Sequence, residues 1–556
     1  MKESWLRTGA SLVAGLTVIA AALVQGPAVQ ASSSAGGGFV TALPSPEGNY
    51  QSANFNPLIA SGFNYGTQGL LYEPLMMENF FTSSLNPWLA TSYSWSNKGT
   101  TLTFKLRHGV KWSDGHAFTA KDVAFTFNLI HAHPALDGNN VWAYLKSVTA
   151  TGRHTVVFQL KALNSTSVDF LAQQLIVPEH IWKSVKHPSK WLNSHPVGTG
   201  PFLLKDFSPE NISYVRNPHY WQTGLPHVAG VNYPAYTSNT PAALALVKGQ
   251  IDWAGIFSAG IAQTYTRANP KTHHYYFPPA ALVMLYTNDV LYPFNNYLVR
   301  RALSLAIDRN ALSKIGEYGY EAPANLTGLV LPADNAYLVP SLLKRYPNTQ
   351  NVAKAKAILA KLGFKRDAAG QLLTPQGKPF AFKLNVVAGW TDWDQDCALI
   401  AQQLKALGID VTVNQVAFGT YITALQLGHF QAAISWTDPG VTPFFLYQYL
   451  ENFRETAPIG KAANTNWERW NSPLTQKYLN GYETTLSPAL QAKDIRGLEY
   501  VTAKYLPAIP LLEGAEWYEY STKNFTGWPD AKNLYTEPSP YEWPQAEVTL
   551  LNIRPK

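Results

Sequence analysis

Residues 396–413, DCALIAQQLKALGIDVTV, constrain the fold more than any other segment of the chain. Leu399, Ile400, Leu404 and Leu407 recur at helical spacing, Gly408 stands where a helix stops, and Ile409, Val411 and Val413 then alternate as in a strand. A helix that passes directly into a strand must fold back over the sheet to bury its apolar face, which points to α/β architecture. The same grammar recurs elsewhere. Leu102, Phe104 and Leu106 line one face of a strand candidate, and TVVFQL at 155–160 reads as a second strand. Thr119 and Asp122 form a capping-box pair ahead of a helix carrying Val123, Phe127 and Ile130. Val299, Ala302, Leu303 and Ala306 share a helical face, as do Ala355, Ile358, Leu359 and Leu362 before Gly363, a C-terminal cap.

At 556 residues the chain has room for three to four domains of about 150 residues each. Its 46% hydrophobic content, with 17 Trp, 30 Tyr and 25 Phe, excludes disorder. The single cysteine, Cys397, excludes an intrachain disulfide and a Cys-cluster metal site, and its place beside Ala398 and Leu399 fits a small core residue. The formal charge of +7 is diffuse. The densest basic spots, Arg300 with Arg301 and Lys344 with Arg345, are pairs among apolar residues, so no nucleic-acid partner is expected.

Lys2 and Arg7 precede an Ala-rich apolar stretch from Thr8 to Val24 and a small-residue site at Ala31, the pattern of an export signal over residues 1–31. The mature chain is expected to start at Ser32, followed by a Ser/Gly linker over 32–38; retention as a single anchor is the alternative. The expected location is extracytoplasmic, without a lipid-anchor cysteine.

Searches for chemistry return little. G-x-S-x-G, H-E-x-x-H and the phosphate-cradling G-x-x-x-x-G-K-[ST] are absent. His131 with His133, and His273 with His274, lack carboxylates at ligand spacing. Asp392, Asp394 and Asp396 imitate the start of a calcium loop, but Cys397 occupies the Gly position and Gln403 the bidentate-Glu position. Acidic residues around the first turn of the next helix explain them better. No metal, cofactor or catalytic residue is expected.

Ordered motifs then carry a resemblance. LYEPLMMEN at Leu71, the segment from Pro87 containing GVKWSDG and FTAKDV, VGTGPF at Val197, RNPHYW at Arg216, VKGQIDWA at Val247, PFNNYLVRRALSLAIDR at Pro293, LGIDVTV at Leu407 and IPLLEG at Ile509 together resemble the family 5 extracytoplasmic solute-binding proteins. These are peptide-type receptors of ABC importers. The resemblance implies a two-lobed clamp with an additional domain: lobe I from 39–70, 195–283 and 520–556, the additional domain from 71–194, and lobe II from 284–519. It implies a monomer that delivers its ligand to a membrane permease and its ATPase.

The ligand expected from the resemblance is a short peptide. Trp436 and Asp438 in ISWTDPGVTPFF match a segment in which such receptors contact the peptide, the Asp pairing with its α-ammonium; the W-x-D spacing is one residue shorter than the family pattern, and a turn role before Pro439 is equally open. AGWTDWDQD, with Trp390 and Trp393, is similar to the oligosaccharide-binding branch, where indole faces stack on sugar rings. Trp253 is a further cleft candidate. A secreted hydrolase acting on the same polymers is the remaining alternative.

Overall fold

The computed structural model describes residues 38–59, 62–437 and 440–556. The export signal and the linker as far as residue 37 lie outside the described residues. Among the described residues, no helix is long and apolar enough to cross a membrane.

Three sheets organise the chain. The first has seven strands in the order His273–Tyr275, Glu519–Ser521, Trp253–Ala254, Phe39–Leu43, Gly230–Pro234, Asn211–Arg216 and Phe202–Ser208. Phe39–Leu43 is parallel to both neighbours, with Val40 opposite Val231 and Ala42 opposite Trp253. The helix Asn239–Val247 connects Gly230–Pro234 to Trp253–Ala254. The second sheet has five strands in the order Asp410–Val416, Ala381–Val387, Ala432–Trp436, Pro279–Thr287 and Ala508–Ala515. A third, of four antiparallel strands, is ordered Ala90–Ser96, Thr101–Leu106, Thr155–Leu160 and Leu145–Gly152.

The sequence patterns explain these elements residue by residue. Leu102, Phe104 and Leu106 are buried in the third sheet and share a core with Val123 and Phe127 of the helix Ala120–Ala132, whose Ile130 is buried in the core of the first sheet. That helix opens with both halves of the predicted capping box, Thr119 and Asp122. Thr391–Lys405 is the predicted helix before Gly408, whose φ of +83° belongs to the left-handed region. It packs Cys397, Ile400 and Leu404 into the core of the second sheet, while Leu399 is only partly buried. The following strand pairs in parallel with Ala381–Val387, Val413 opposite Leu384, which completes the β-α-β unit.

Arg300 and Arg301 belong to the scaffold. The helix Pro488–Tyr505 leaves its final carbonyls without helical partners. Arg300 donates to Leu506 O at 2.7 Å and Tyr505 O at 2.9 Å, and Arg301 to Lys504 O at 2.9 Å. Arg300 also sits 3.2 Å from Asp289, both side chains being almost fully buried. Breaking a buried pair strands the remaining charge. Arg300→Ala is therefore expected to destabilise the second sheet's lobe by about 3–5 kcal/mol in denaturant unfolding, and a loss under about 1 kcal/mol would remove this assignment.

Candidate functional site

Two chain crossings join the first sheet to the second. His273–Tyr275 runs through residues 276–278 into Pro279–Thr287, and Ala508–Ala515 runs through 516–518 into Glu519–Ser521. The crossings are bonded to each other: Tyr276 N donates to Tyr518 O at 3.0 Å and Glu516 N to Pro278 O at 2.8 Å. Trp517 packs edge-on against Phe277 with centroids 4.8 Å apart. A paired ribbon of this kind twists without breaking either sheet, which makes it a hinge between two lobes.

Beside the hinge, the second lobe presents an aromatic wall. Trp436 ends the strand Ala432–Trp436, and Trp390 and Trp393 flank the start of Thr391–Lys405. The indoles of Trp390 and Trp436 lie 6.1 Å apart, those of Trp393 and Trp436 6.1 Å, and those of Trp390 and Trp393 5.2 Å. Phe418 extends the wall at 5.7 Å from Trp390, and Trp467 at 6.2 Å from Trp436. Trp393 is buried, whereas Trp390 and Trp436 are partly exposed. The Trp390 Nε1 donor is buried without a partner, an arrangement that proteins usually satisfy with a ligand, a water or a structural acceptor.

Asp438 lies outside the described residues. Trp253 does not join the three indoles: it is fully buried in the first lobe, its Nε1 donating to Pro538 O at 2.8 Å. Its polar atom is occupied and its ring packs beside Trp528, so the structure gives it a core position. His273 is likewise buried, stacked on Tyr265 at 4.2 Å, with Nδ1 3.0 Å from Tyr265 O.

The first lobe reaches the wall through the start of Asn239–Val247. Asn239 N donates to Gly389 O at 3.1 Å, and Asn239 Nδ2 to Asp392 Oδ1 at 3.3 Å. Gly389, with φ +87°, is doubly required: a β-carbon there would lie 2.6 Å from Ser238 Cβ across the interface. Neither Asn239 nor Gly389 carries a sequence signal, because their contact exists only once the lobes meet.

Behind this contact lies a group of buried acids. Glu317, Glu321, Asp392 and Asp396 are each pushed above the usual carboxylate range, first by burial; neighbouring charges within the group add to this for Glu317, Glu321 and Asp396, and the Asp394 charge adds to it for Asp392. Gly316 admits the group, since a β-carbon on it would lie 2.0 Å from Asp396 Oδ1. On the additional-domain side, Glu537 accepts from Phe80 N and is pushed up to about 7 by burial. Glu78 is pushed up to about 8, again chiefly by burial, with the Glu537 and Asp169 charges adding to it. Asp392 and Asp394 lie in the first turn of Thr391–Lys405 as expected, but the helix has no side-chain cap bond; Asp394 Oδ2 instead accepts from Gly389 N, ahead of the helix, at 3.3 Å. Burial pushes the Cys397 thiol up, away from the thiolate form a nucleophile needs.

Two sheets joined by a paired ribbon define a two-lobed α/β clamp. The chain belongs to the bacterial extracellular solute-binding proteins of family 5, whose middle region is matched by residues 84–456. It is similar to the nickel-binding periplasmic protein of Escherichia coli, with 27% identity over 64% of this chain and 68% of the relative. A putative ABC transporter peptide-binding protein of Brucella ovis is 28% identical over 72% of this chain and 74% of its own length. The mannohexaose-bound structure of a periplasmic oligopeptide-binding protein from Thermotoga maritima superposes with a TM-score of 0.86 at 25% identity, covering 93% of this chain and 99% of that one. These are transport receptors, and the α/β clamp expected from the sequence is the fold observed.

The buried acids give a pH prediction. Because burial raises Asp392 and Asp396, the folded chain keeps protons that the unfolded chain releases above about pH 4. Stability therefore falls as pH rises from there. The thermal midpoint is expected to drop from pH 5 to pH 8, to about these values of pH, and Asp396→Asn to flatten the drop. Parallel pH profiles for the two proteins would refute the role of Asp396.

Proposed function

We propose that the chain is the substrate-binding receptor of an ABC importer, enclosing a short oligomer between its lobes and presenting the closed form to a membrane permease and its ATPase. The reading we favour for the ligand is an oligosaccharide, and the observation that carries it is the gathering of Trp390, Trp393 and Trp436 into one wall beside the hinge. Flat indoles offer stacking area to C–H faces without demanding charge. Acids held neutral, such as Glu78, can offer both a donor and an acceptor to hydroxyl groups. The mannohexaose bound to the Thermotoga maritima relative supports this reading.

A short peptide is the second reading, favoured by the peptide-binding relative from Brucella and by the motif placing Asp438 two residues after Trp436. In that reading the Asp438 carboxylate holds the α-ammonium, and Asp438→Asn weakens peptides far more than sugars. Sheet membership supports the division into lobe I, an additional domain over 71–194, and lobe II. We place the changes of lobe at residues 276–278 and 516–518, where the paired ribbon lies.

Titration with cello- and manno-oligosaccharides and with di- to hexapeptides, followed by intrinsic Trp fluorescence, tests the ligand. Saturable quenching by a sugar with none by peptides is expected, and the reverse pattern would transfer the assignment to peptides. Trp436→Ala is expected to weaken binding about ten-fold, roughly 1.4 kcal/mol. Gly389→Val, which blocks closure against Ser238, is expected to weaken binding at least as much, and because it also places a β-branched residue at φ +87° it is expected to lower the thermal midpoint of the ligand-free protein as well. Tight binding by the Gly389 variant would show that closure is not part of capture.

A further inference from the structure

A separate cluster of donors sits in the additional domain. Among the described residues, Asp114, His116 and His180 are a group whose possible ligand atoms all lie within 4.8 Å of one another. His180 Nε2 is 2.7 Å from Asp114 Oδ2, and His116 Nδ1 is 3.2 Å from Asp114 Oδ1. The two imidazoles are stacked, with centroids 4.1 Å apart and an interplanar angle of 22°. Burial tends to raise the Asp114 carboxyl, but the hydrogen bonds from His180 and His116 outweigh it and hold the group below the usual carboxylate range.

Both arms of the cluster are held from beneath. His116 and Asp114 lie on a tight turn in which Trp112 N donates to His116 O at 2.8 Å and Gly115 N to Trp112 O at 2.9 Å. Gly115, with φ +91°, permits that turn, and the buried Trp112 anchors it. His180 lies on the short helix Glu179–Trp182, anchored by the buried Trp182. Asp122 ties the arms together, accepting from Glu179 N at 3.1 Å and from Thr119 N at 2.8 Å. The donor atoms themselves face solvent: the His116 side chain is 63% exposed.

We propose that Asp114, His116 and His180 form a surface site for a divalent first-row transition ion, with Zn²⁺ as its natural size and softness. Two imidazoles and one carboxylate are a donor set that such ions select over Mg²⁺ or Ca²⁺. Two donors that each lie about 2.05 Å from one tetrahedral cation stand roughly 3.3 Å apart, so the hydrogen-bonded pairs at 2.7 and 3.2 Å need to part only slightly to admit an ion. Exposure on the outer side leaves the remaining coordination positions to water. The site was hidden in the sequence because His180 lies 66 residues beyond Asp114 along the chain and the two meet only in the folded domain.

The test is calorimetric titration of the full-length, tag-free protein with ZnCl₂ and separately with MgCl₂. Saturable binding of one Zn²⁺ per chain, with none of Mg²⁺, is expected. His116→Ala with His180→Ala abolishes it, and Asp114→Asn weakens it. The control His131→Ala with His133→Ala leaves it unchanged, and circular dichroism establishes that each variant is folded. Zinc binding that survives the loss of both His116 and His180, or no saturable binding by the parent, would overturn the proposal. Because the readout does not involve the interlobe ligand, its failure leaves the receptor reading untouched.

Discussion

The paired ribbon formed by residues 276–278 and 516–518 is the constraint on which the rest of the molecule depends. Each crossing continues a strand of one sheet into a strand of the other, so neither lobe can translate freely. The bonds Tyr276 N to Tyr518 O and Glu516 N to Pro278 O hold the crossings in register with each other. What remains is rotation about an axis through the ribbon. The wall of Trp390, Trp393 and Trp436 stands on the second lobe and the Asn239 helix on the first, so that rotation determines whether the wall faces water or the opposite lobe.

The additional domain takes part in the same closure. Its Ser165 N donates to Glu483 O at 2.7 Å, and Phe170 meets Phe445 with centroids 5.4 Å apart, both partners belonging to the second sheet's lobe. It is also continuous with the first lobe, since Ile130, Val177 and Trp182 share a core with Val40, Tyr214 and Trp253. A domain fused to one lobe and touching the other adds to the contacts between the lobes.

The legible part of the fold is the part governed by local periodicity. The Thr391–Lys405 helix, the Asp410–Val416 strand and the Thr119–Asp122 capping box are set by neighbours within about a dozen residues, and patterns of that range survive in a single sequence. Trp390, Trp393 and Trp436 were legible as candidates because they sit in matched motifs. Trp253 sat in one too, yet its surroundings are a core made of strands drawn from both ends of the chain. Arg300 and Arg301 read as a bare basic pair, since the carbonyls they satisfy lie some two hundred residues away. Gly389 and Asn239 were silent for the same reason: their meaning is an interface, and no local pattern encodes it.

The Asn239 contact between the lobes combines opposing electrostatic effects. The direct hydrogen bonds between Asn239 and the Gly389–Asp392 turn are each worth about 1 kcal/mol net. Against them stands the dehydration of Asp392, which belongs to a buried acid group that water would otherwise relieve. Gly389 removes the steric obstacle without adding attraction, because it contributes no side chain to the contact. The two effects oppose each other, so the Asn239 contact alone contributes little net attraction between the lobes. For any solute that touches both lobes, about 1.4 kcal/mol of differential binding gives a ten-fold shift between two forms of a clamp.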